Sequence, residues 1–276
     1  MALNSINTNT SALAALSNLA STQTSLQKTQ NIISTGKTIN SAKDNGAVWS
    51  IAQTMTGKVT ALDSVKDSLN RAQSTIDVAM SAGQQVSDLL TQMKAKALAA
   101  SDTSLDTTSR SALNADFKSL RDQITAVVNN ADFNGVNMVK SGGTTVYALA
   151  NDSGSSKLTV AAEDLSLGGA NVSLTAGASF SSATTASAFI GVLDSDLNSV
   201  NTALTKLGTG SNALASHLTF VQSLQTSLQT GISNLVDADM ASESAQLQAL
   251  QTKQQLGVQS LSIANQSTSI MLSLFR

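Results

Sequence analysis

The chain has 276 residues, no proline, no cysteine, 3% aromatic residues and a formal net charge of −2. Without cysteine there is no disulfide framework and no thiol chemistry, and with 12% charged residues and no basic patch there is nothing to displace counterions from nucleic acid. No stretch approaches the ~20 apolar residues of a bilayer span, and the N-terminus, whose longest apolar run is Ala12 to Leu16, is not expected to be a secretory signal peptide.

Residues 3–33 are expected to form a first helix. Leu3, Ile6, Thr10 and Leu13 keep one heptad phase, and after a three-residue skip Leu16, Leu19, Gln23, Leu26, Gln30 and Ile33 keep another. The stripe is thin and flanked by Asn, Ser, Thr and Gln, so the helix is marginal alone and orders only against something else. Gly36 is read as a left-handed cap and Thr38 to Gly46 as a polar turn.

Ala47 to about Ala100 is the first long helix. Val48, Ala52, Met55, Val59, Leu62, Lys66, Leu69, Gln73, Ile76, Met80, Gly83, Ser87, Leu90 and Lys94 step by four and three, as in a coiled-coil seam. Trp49 is expected to anchor its start by packing. After a loop at Ser101 to Ser109, Leu113, Phe117, Leu120, Ile124 and Val127 mark a shorter helix ending near Asn130.

From Asp132 the period changes. Phe133-Asn134-Gly135-Val136 carries an Asn-Gly turn signal, and Thr144 to Ala150, Lys157 to Ala161 and Asn171 to Leu174 are short β-like runs. A small β-hairpin region over about 132–175 is expected, followed by a low-complexity surface stretch from Ala176 to Ala188.

Leu193 to Leu235 carries the strongest pattern in the chain. Leu193, Leu197, Val200, Leu204, Leu207, Ser211, Leu214, Leu218, Val221, Gln225, Leu228, Ile232 and Leu235 keep one stripe without a slip. At 1.5 Å per residue this helix is roughly 60 Å long and needs long partners. Gly208 and Gly210 cost about 1 kcal/mol each against Ala, so packing must hold those turns. The rod seam is assigned to Met55, Val59, Leu62, Leu69, Ile76, Leu197, Val200, Leu204, Leu214, Leu218, Val221 and Leu228.

Asp237, Asp239 and Glu243 open a last helix, where acidic side chains complement the helix dipole; their spacing fits no loop of metal ligands. Three faces of that helix are apolar: Leu247, Leu261, Thr268 and Phe275 on one, Ala249, Leu256, Ile263 and Ile270 on the next, and Leu250, Gly257, Ala264 and Met271 on a third. Such a helix has to be surrounded by protein, and helix 3–33 is too thin to cover it, so self-association is expected. The packing residues are Leu3, Ile6, Leu13, Leu16, Leu19, Leu26, Ile33, Leu247, Leu256, Leu261, Ile263, Ile270, Leu272 and Phe275. His217 is the single histidine, which leaves no His-based triad, and neither catalysis nor a cofactor is expected. The fold class is mainly α: long antiparallel coiled-coil helices with a small β-hairpin region.

Three strings resemble a known family, the bacterial flagellins. They are Ser34-Thr35-Gly36-Lys37-Thr38-Ile39-Asn40-Ser41-Ala42-Lys43-Asp44-Asn45, then Asp132-Phe133-Asn134-Gly135, and the tail Leu235-Val236-Asp237-Ala238-Asp239-Met240 through Ala264-Asn265-Gln266 to Leu272-Ser273-Leu274-Phe275-Arg276. The likeness is strongest to alphaproteobacterial flagellins. It implies a secreted subunit whose ends, 1–46 and 236–276, form a discontinuous inner-core domain lining the filament lumen, with 47–235 as the surrounding rod. Larger flagellins insert outer domains where this chain has only Gly142 to Phe189, so a thin surface is expected. The resemblance also implies a homopolymer, with sister flagellins admitted, an export chaperone gripping the C-terminal helix, and contacts to hook-associated junction and cap proteins. O-linked sugar is implied, with Thr175, Ser179, Ser181, Ser182, Thr184, Thr185, Thr205, Thr209 and Ser211 as candidates. A hook–filament junction protein and a cytoplasmic signalling coiled coil are the alternatives.

Overall fold

The computed structural model describes residues 8–274, with side chains over 8–266. Its elements are α1 (Thr10–Thr35), α2 (Gly46–Ala100), α3 (Thr107–Asn130), β1 (Val146–Leu149), β2 (Lys157–Val160), α4 (Ala183–Val236) and α5 (Met240–Leu274). They form two compact units, Met1–Gly57 with Ser227–Arg276, and Lys58–Thr226; α2 and α4 contribute residues to both. The expected mainly helical fold with a small hairpin is what is seen.

In the unit of the chain ends, α1 begins at Thr10 rather than at residue 3. Asn9 has extended backbone and its Oδ1 accepts from Ala12 N at 3.0 Å, which caps the helix there. Gly36 closes α1 in the left-handed conformation (φ 68°), its N–H donating to Ile32 O at 2.8 Å. The turn that follows is built on Asp44, whose carboxylate accepts from Asn40 N, Ser41 N and Ser41 Oγ. Asn45 Oδ1 then accepts from Val48 N and opens α2. Asp239 opens α5 by accepting from Ala241 N (3.0 Å) and Ser242 N (3.3 Å). Trp49 is 37% exposed, so the expected packing anchor is corrected: the ring lies at the surface of this chain.

In the unit of residues 58–226, α2 and α4 run antiparallel along a seam. The buried positions on α2 fall into three heptad series: Leu62, Leu69, Ile76, Leu90 and Ala97; Val65, Ala72, Ala79, Val86, Met93 and Ala100; and Ser68, Thr75, Ala82 and Leu89. The second series corrects the expected Lys66, Gln73, Met80, Ser87 and Lys94, which lie one residue on and are half-buried. Alanines, Ala72, Ala79, Ala82, Ala97 and Ala100, fill part of the seam, and their small side chains carry little signal. The polar positions instead bridge its rim: Lys66 Nζ donates to Gln225 Oε1 (3.3 Å), Gln225 Nε2 to Asp63 Oδ1 (2.7 Å), and Lys94 pairs with Asp194. Gly83 sits where α4 comes close: a Cβ there would lie 2.7 Å from Leu204 Cδ2, so that side chain would have to shift to admit one.

The loop before α3 is shorter than expected, because Asp106 caps the helix at Thr107. β1 and β2 pair antiparallel, Val146 opposite Val160 and Leu149 opposite Lys157. The Asn-Gly turn is present, with Asn134 at φ 53° and Gly135 at φ 81° joining a Phe133–Val136 bridge. Asn171 to Leu174 is not a strand. The buried Asp196 on α4 takes its backbone, accepting from Ser173 N (2.8 Å), Ser173 Oγ (2.7 Å) and Leu174 N (3.0 Å). The stretch expected as surface is also corrected: Ala178, Phe180 and Ala186 are buried, and Ser182 starts α4 by accepting from Thr185 N. Phe180 leaves the solvent because its ring packs edge-on against Phe117, centroids 5.1 Å apart.

Candidate assembly surface

α1 and α5 pack antiparallel. Asn9 Nδ2 donates to Ala264 O (2.8 Å) and Gln254 Nε2 to Gln23 Oε1 (2.7 Å). Between these bonds Gly257 faces Leu19, where an added Cβ would sit 3.2 Å from Leu19 Cδ1, so the glycine lets the helices close up. At their joined ends Thr38 N donates to Val236 O (2.8 Å), Ala238 N to Gly36 O (2.9 Å), and Thr38 Oγ1 to Val236 O and Asp237 O (both 3.0 Å). Leu26 and Ile32 on α1 and Leu250 on α5 are buried.

Much of the apolar surface of the pair faces water. Leu13 is 57% exposed, Leu256 60% and Ile263 61%, with Leu16 and Val258 close behind. Leu19, Ile33, Leu247 and Leu261 are half-buried. Leu3, Ile6 and Phe275 lie outside the described residues, and the side chains of Ile270 and Leu272 lie outside the described side chains. A cleft of about 430 Å³ runs between Asn9, Leu13 and Leu16 on one side and Leu261 and Asn265 on the other. Threonines on these helices turn their hydroxyls back to the carbonyl four residues earlier, as Thr22, Thr24 and Thr252 do. Val258 was not singled out by heptad counting, although an apolar residue beside Gly257 was the available signal.

Of the rod-seam residues, Leu62, Leu69, Ile76, Val200, Leu214 and Val221 are buried, and Met55, Val59, Leu197, Leu204, Leu218 and Leu228 are half-buried. His217 Nε2 lies 2.8 Å from Ala150 O and ties α4 to the end of β1. No group of three or more His, Cys, Asp or Glu able to hold a metal occurs among the described residues, and no described helix is long and apolar enough to cross a membrane. Ser179, Ser181, Thr184, Thr205 and Thr209 are exposed, as is Thr175. Ser182 and Thr185 are exposed but hydrogen-bonded to one another at the start of α4. Ser211 is buried in the seam and accepts from Gln73 Nε2, which removes it from the glycosylation candidates.

Two terminal helices clasped together with an uncovered apolar face, joined to a long coiled-coil rod, define a self-assembling structural subunit. The model of the bacterial flagellin N-terminal helical region matches residues 6–144, and that of the C-terminal helical region matches residues 190–275. The chain belongs to the bacterial flagellin family. It is 57% identical to flagellin FljM and 56% identical to flagellin FljO of Caulobacter vibrioides, in each case over 276 residues and the whole of both chains. A crystal structure of Bacillus cereus flagellin aligns with a TM-score of 0.50 and 22% identity, covering 56% of this chain and 88% of that one, a likeness of fold. The equal lengths place this chain among short flagellins without outer domains. The family is structural, and its members are exported into the extracellular flagellar filament.

Proposed function

We propose that this chain is the subunit that polymerises into the flagellar filament for swimming, through burial of its α1–α5 face against neighbouring copies. The observation that carries the reading is the exposure of Leu13, Leu16, Leu256, Val258 and Ile263 on a helix pair otherwise clasped along its length. Residues 1–46 and 236–276 form the inner-core layer and residues 47–235 the rod around it. The hook–filament junction and signalling readings find no support in the full-length likeness to named flagellins.

Seeding purified full-length chain with short filament fragments is expected to give long, thin, smooth filaments by negative-stain electron microscopy. Persistent monomers would return the junction and signalling readings to contention. Mixed polymers with sister flagellins follow from the likeness to more than one Caulobacter flagellin. α5 is the segment an export chaperone grips before secretion, because its apolar faces are uncovered until assembly, and the junction and cap proteins meet the same surfaces at the filament ends. O-linked sugar falls on the exposed Thr175, Ser179, Ser181, Thr184, Thr205 and Thr209, with Ser182 and Thr185 reachable at the start of α4. Protein from native filaments is expected to weigh more than its sequence; an intact mass equal to the sequence mass would dismiss the modification.

A further inference from the structure

Glu163, just past β2, is 8% exposed, and a carboxylate taken this far out of water needs its oxygens matched. Two nitrogens of different chemistry meet it. Lys206 Nζ on α4 lies 3.1 Å from Oε1 and donates to Oε2 at 3.4 Å, while Asn171 Nδ2 donates to the same Oε2 at 3.3 Å. A primary amine and a carboxamide thus share one buried carboxylate.

The backbone holds two of the three in place. Glu163 N donates to Met138 O at 3.0 Å, and Asn171 N and Nδ2 both donate to Asp164 O, at 3.2 and 3.0 Å. The loop that carries Asn171 is closed at its base, where Gly168 N donates to Leu174 O at 2.8 Å and Asp196 fixes Ser173 and Leu174. The Asn171 amide is therefore anchored through its nitrogen. Lys206, with 61% of its side chain exposed, is the movable member, and its flexible stem can carry Nζ onto the Asn171 carbonyl carbon. Two reacting groups tethered on one acid–base group by a folded chain need no encounter in solution.

We propose that Lys206 and Asn171 join in an isopeptide bond, with Glu163 as the catalytic residue. Glu163 takes a proton from the Lys206 ammonium, and the amine so formed attacks Asn171 Cγ. The Nζ–Cγ bond forms and the Cγ–Nδ2 bond breaks. Lys206 gives up two protons in all, both passing through Glu163 to the departing nitrogen, which leaves as ammonium. The carboxylate returns to its starting state, and nothing is oxidised or reduced. Because the three groups meet only in the folded chain, the bond closes after folding and ties α4 to the segment that follows β2. It gives a chain without cysteine a covalent staple, and it is independent of the filament reading.

Full-length chain produced in a host that adds no sugar is folded, then denatured and digested with trypsin. Between Leu158 and Lys206 there is no other Lys or Arg, and the next after Lys206 is Lys253. An unlinked chain gives a peptide that ends at Lys206. The linked chain is expected to give one running from Leu158 to Lys253, lighter than its sequence by one ammonia. Lys206→Arg keeps the charge beside Glu163 and cannot react, so it should restore cleavage and the sequence mass, and melt about 5 °C lower for want of the cross-link. Glu163→Gln is expected to leave Asn171 and Lys206 intact and unlinked in a chain that still melts cooperatively. Complete cleavage after Lys206 in folded wild-type chain, even after prolonged incubation at neutral pH, would overturn the bond, as would loss of ammonia with normal cleavage there. A Glu163→Gln chain that links as fully as wild type would overturn the role given to the carboxylate.

Discussion

A chain lacking residues 236–276, or one lacking residues 1–46, grows no filament from seeds, while the unit of residues 58–226 still melts cooperatively. Either deletion removes one helix of the α1–α5 clasp and leaves the other without Asn9–Ala264 or Gln23–Gln254. Leu13, Leu16, Leu256, Val258 and Ile263 are each a little over half exposed, so covering them gains roughly half of the ~1.5–3 kcal/mol of a full burial apiece, on the order of 5 kcal/mol together before ordering entropy. Losing one helix removes two or three of these side chains and the surface on which the rest are presented. Electron microscopy after seeding reads the first half of the expectation, and the circular-dichroism melt of the truncated chain reads the second. Filaments from either truncated chain would take assembly away from the terminal helices.

Phe117→Ala carries the largest effect expected of a single substitution. Phe117 is fully buried on α3, with the Phe180 ring 5.1 Å away edge-on and the Phe189 ring at 5.5 Å. It thereby joins α3, the segment before α4 and the first turns of α4. Truncating such a ring costs about 3–5 kcal/mol, and the aromatic pairs account for about 0.5–1.5 kcal/mol apiece of what is lost. The melting temperature of this unit is expected to fall by roughly 10 °C. Phe117→Leu, which keeps most of the volume, should recover the larger part. A fall below about 2 °C for the alanine variant would show that the three rings do not hold this end of the unit together.

What could be read from the chain alone follows side-chain size and sequence distance. The α4 stripe was legible because large aliphatic residues mark nearly every inward position. Part of the α2 seam was not, because Ala72, Ala79, Ala82, Ala97 and Ala100 fill it with side chains that also suit a surface. Asn171 to Leu174 has the composition of a strand, yet the group that takes its backbone, Asp196, stands more than twenty residues later on a helix. Phe180 sits in a run of small polar residues, and its burial depends on Phe117, which no local pattern connects to it. For the assembly surface, heptad counting found Leu13, Leu16, Leu256 and Ile263. Periodicity marks a residue as destined for burial without saying in which chain; these four stay exposed in this one, and the filament reading proposed above would cover them with a neighbour. Glu163 draws its partners Asn171 and Lys206 from 8 and 43 positions onward, so their meeting has no signature in sequence.

The ion pairs along the rod have one more consequence. Each of them, from Lys66–Asp63 to Lys206–Glu163, keeps at least one partner about half exposed or more, and Glu163 is the one carboxylate among them that is nearly buried. Exposed pairs contribute about 0–1 kcal/mol each, and salt weakens even that as the screening length shrinks from ~30 Å in dilute water to ~3 Å at molar ionic strength. Cohesion along α2 and α4 comes from uncharged side chains that screening does not reach. The fold of the subunit is therefore nearly indifferent to the salinity of the medium, in fresh water or in brine, which suits a fibre that works outside the cell and cannot regulate the ions around it.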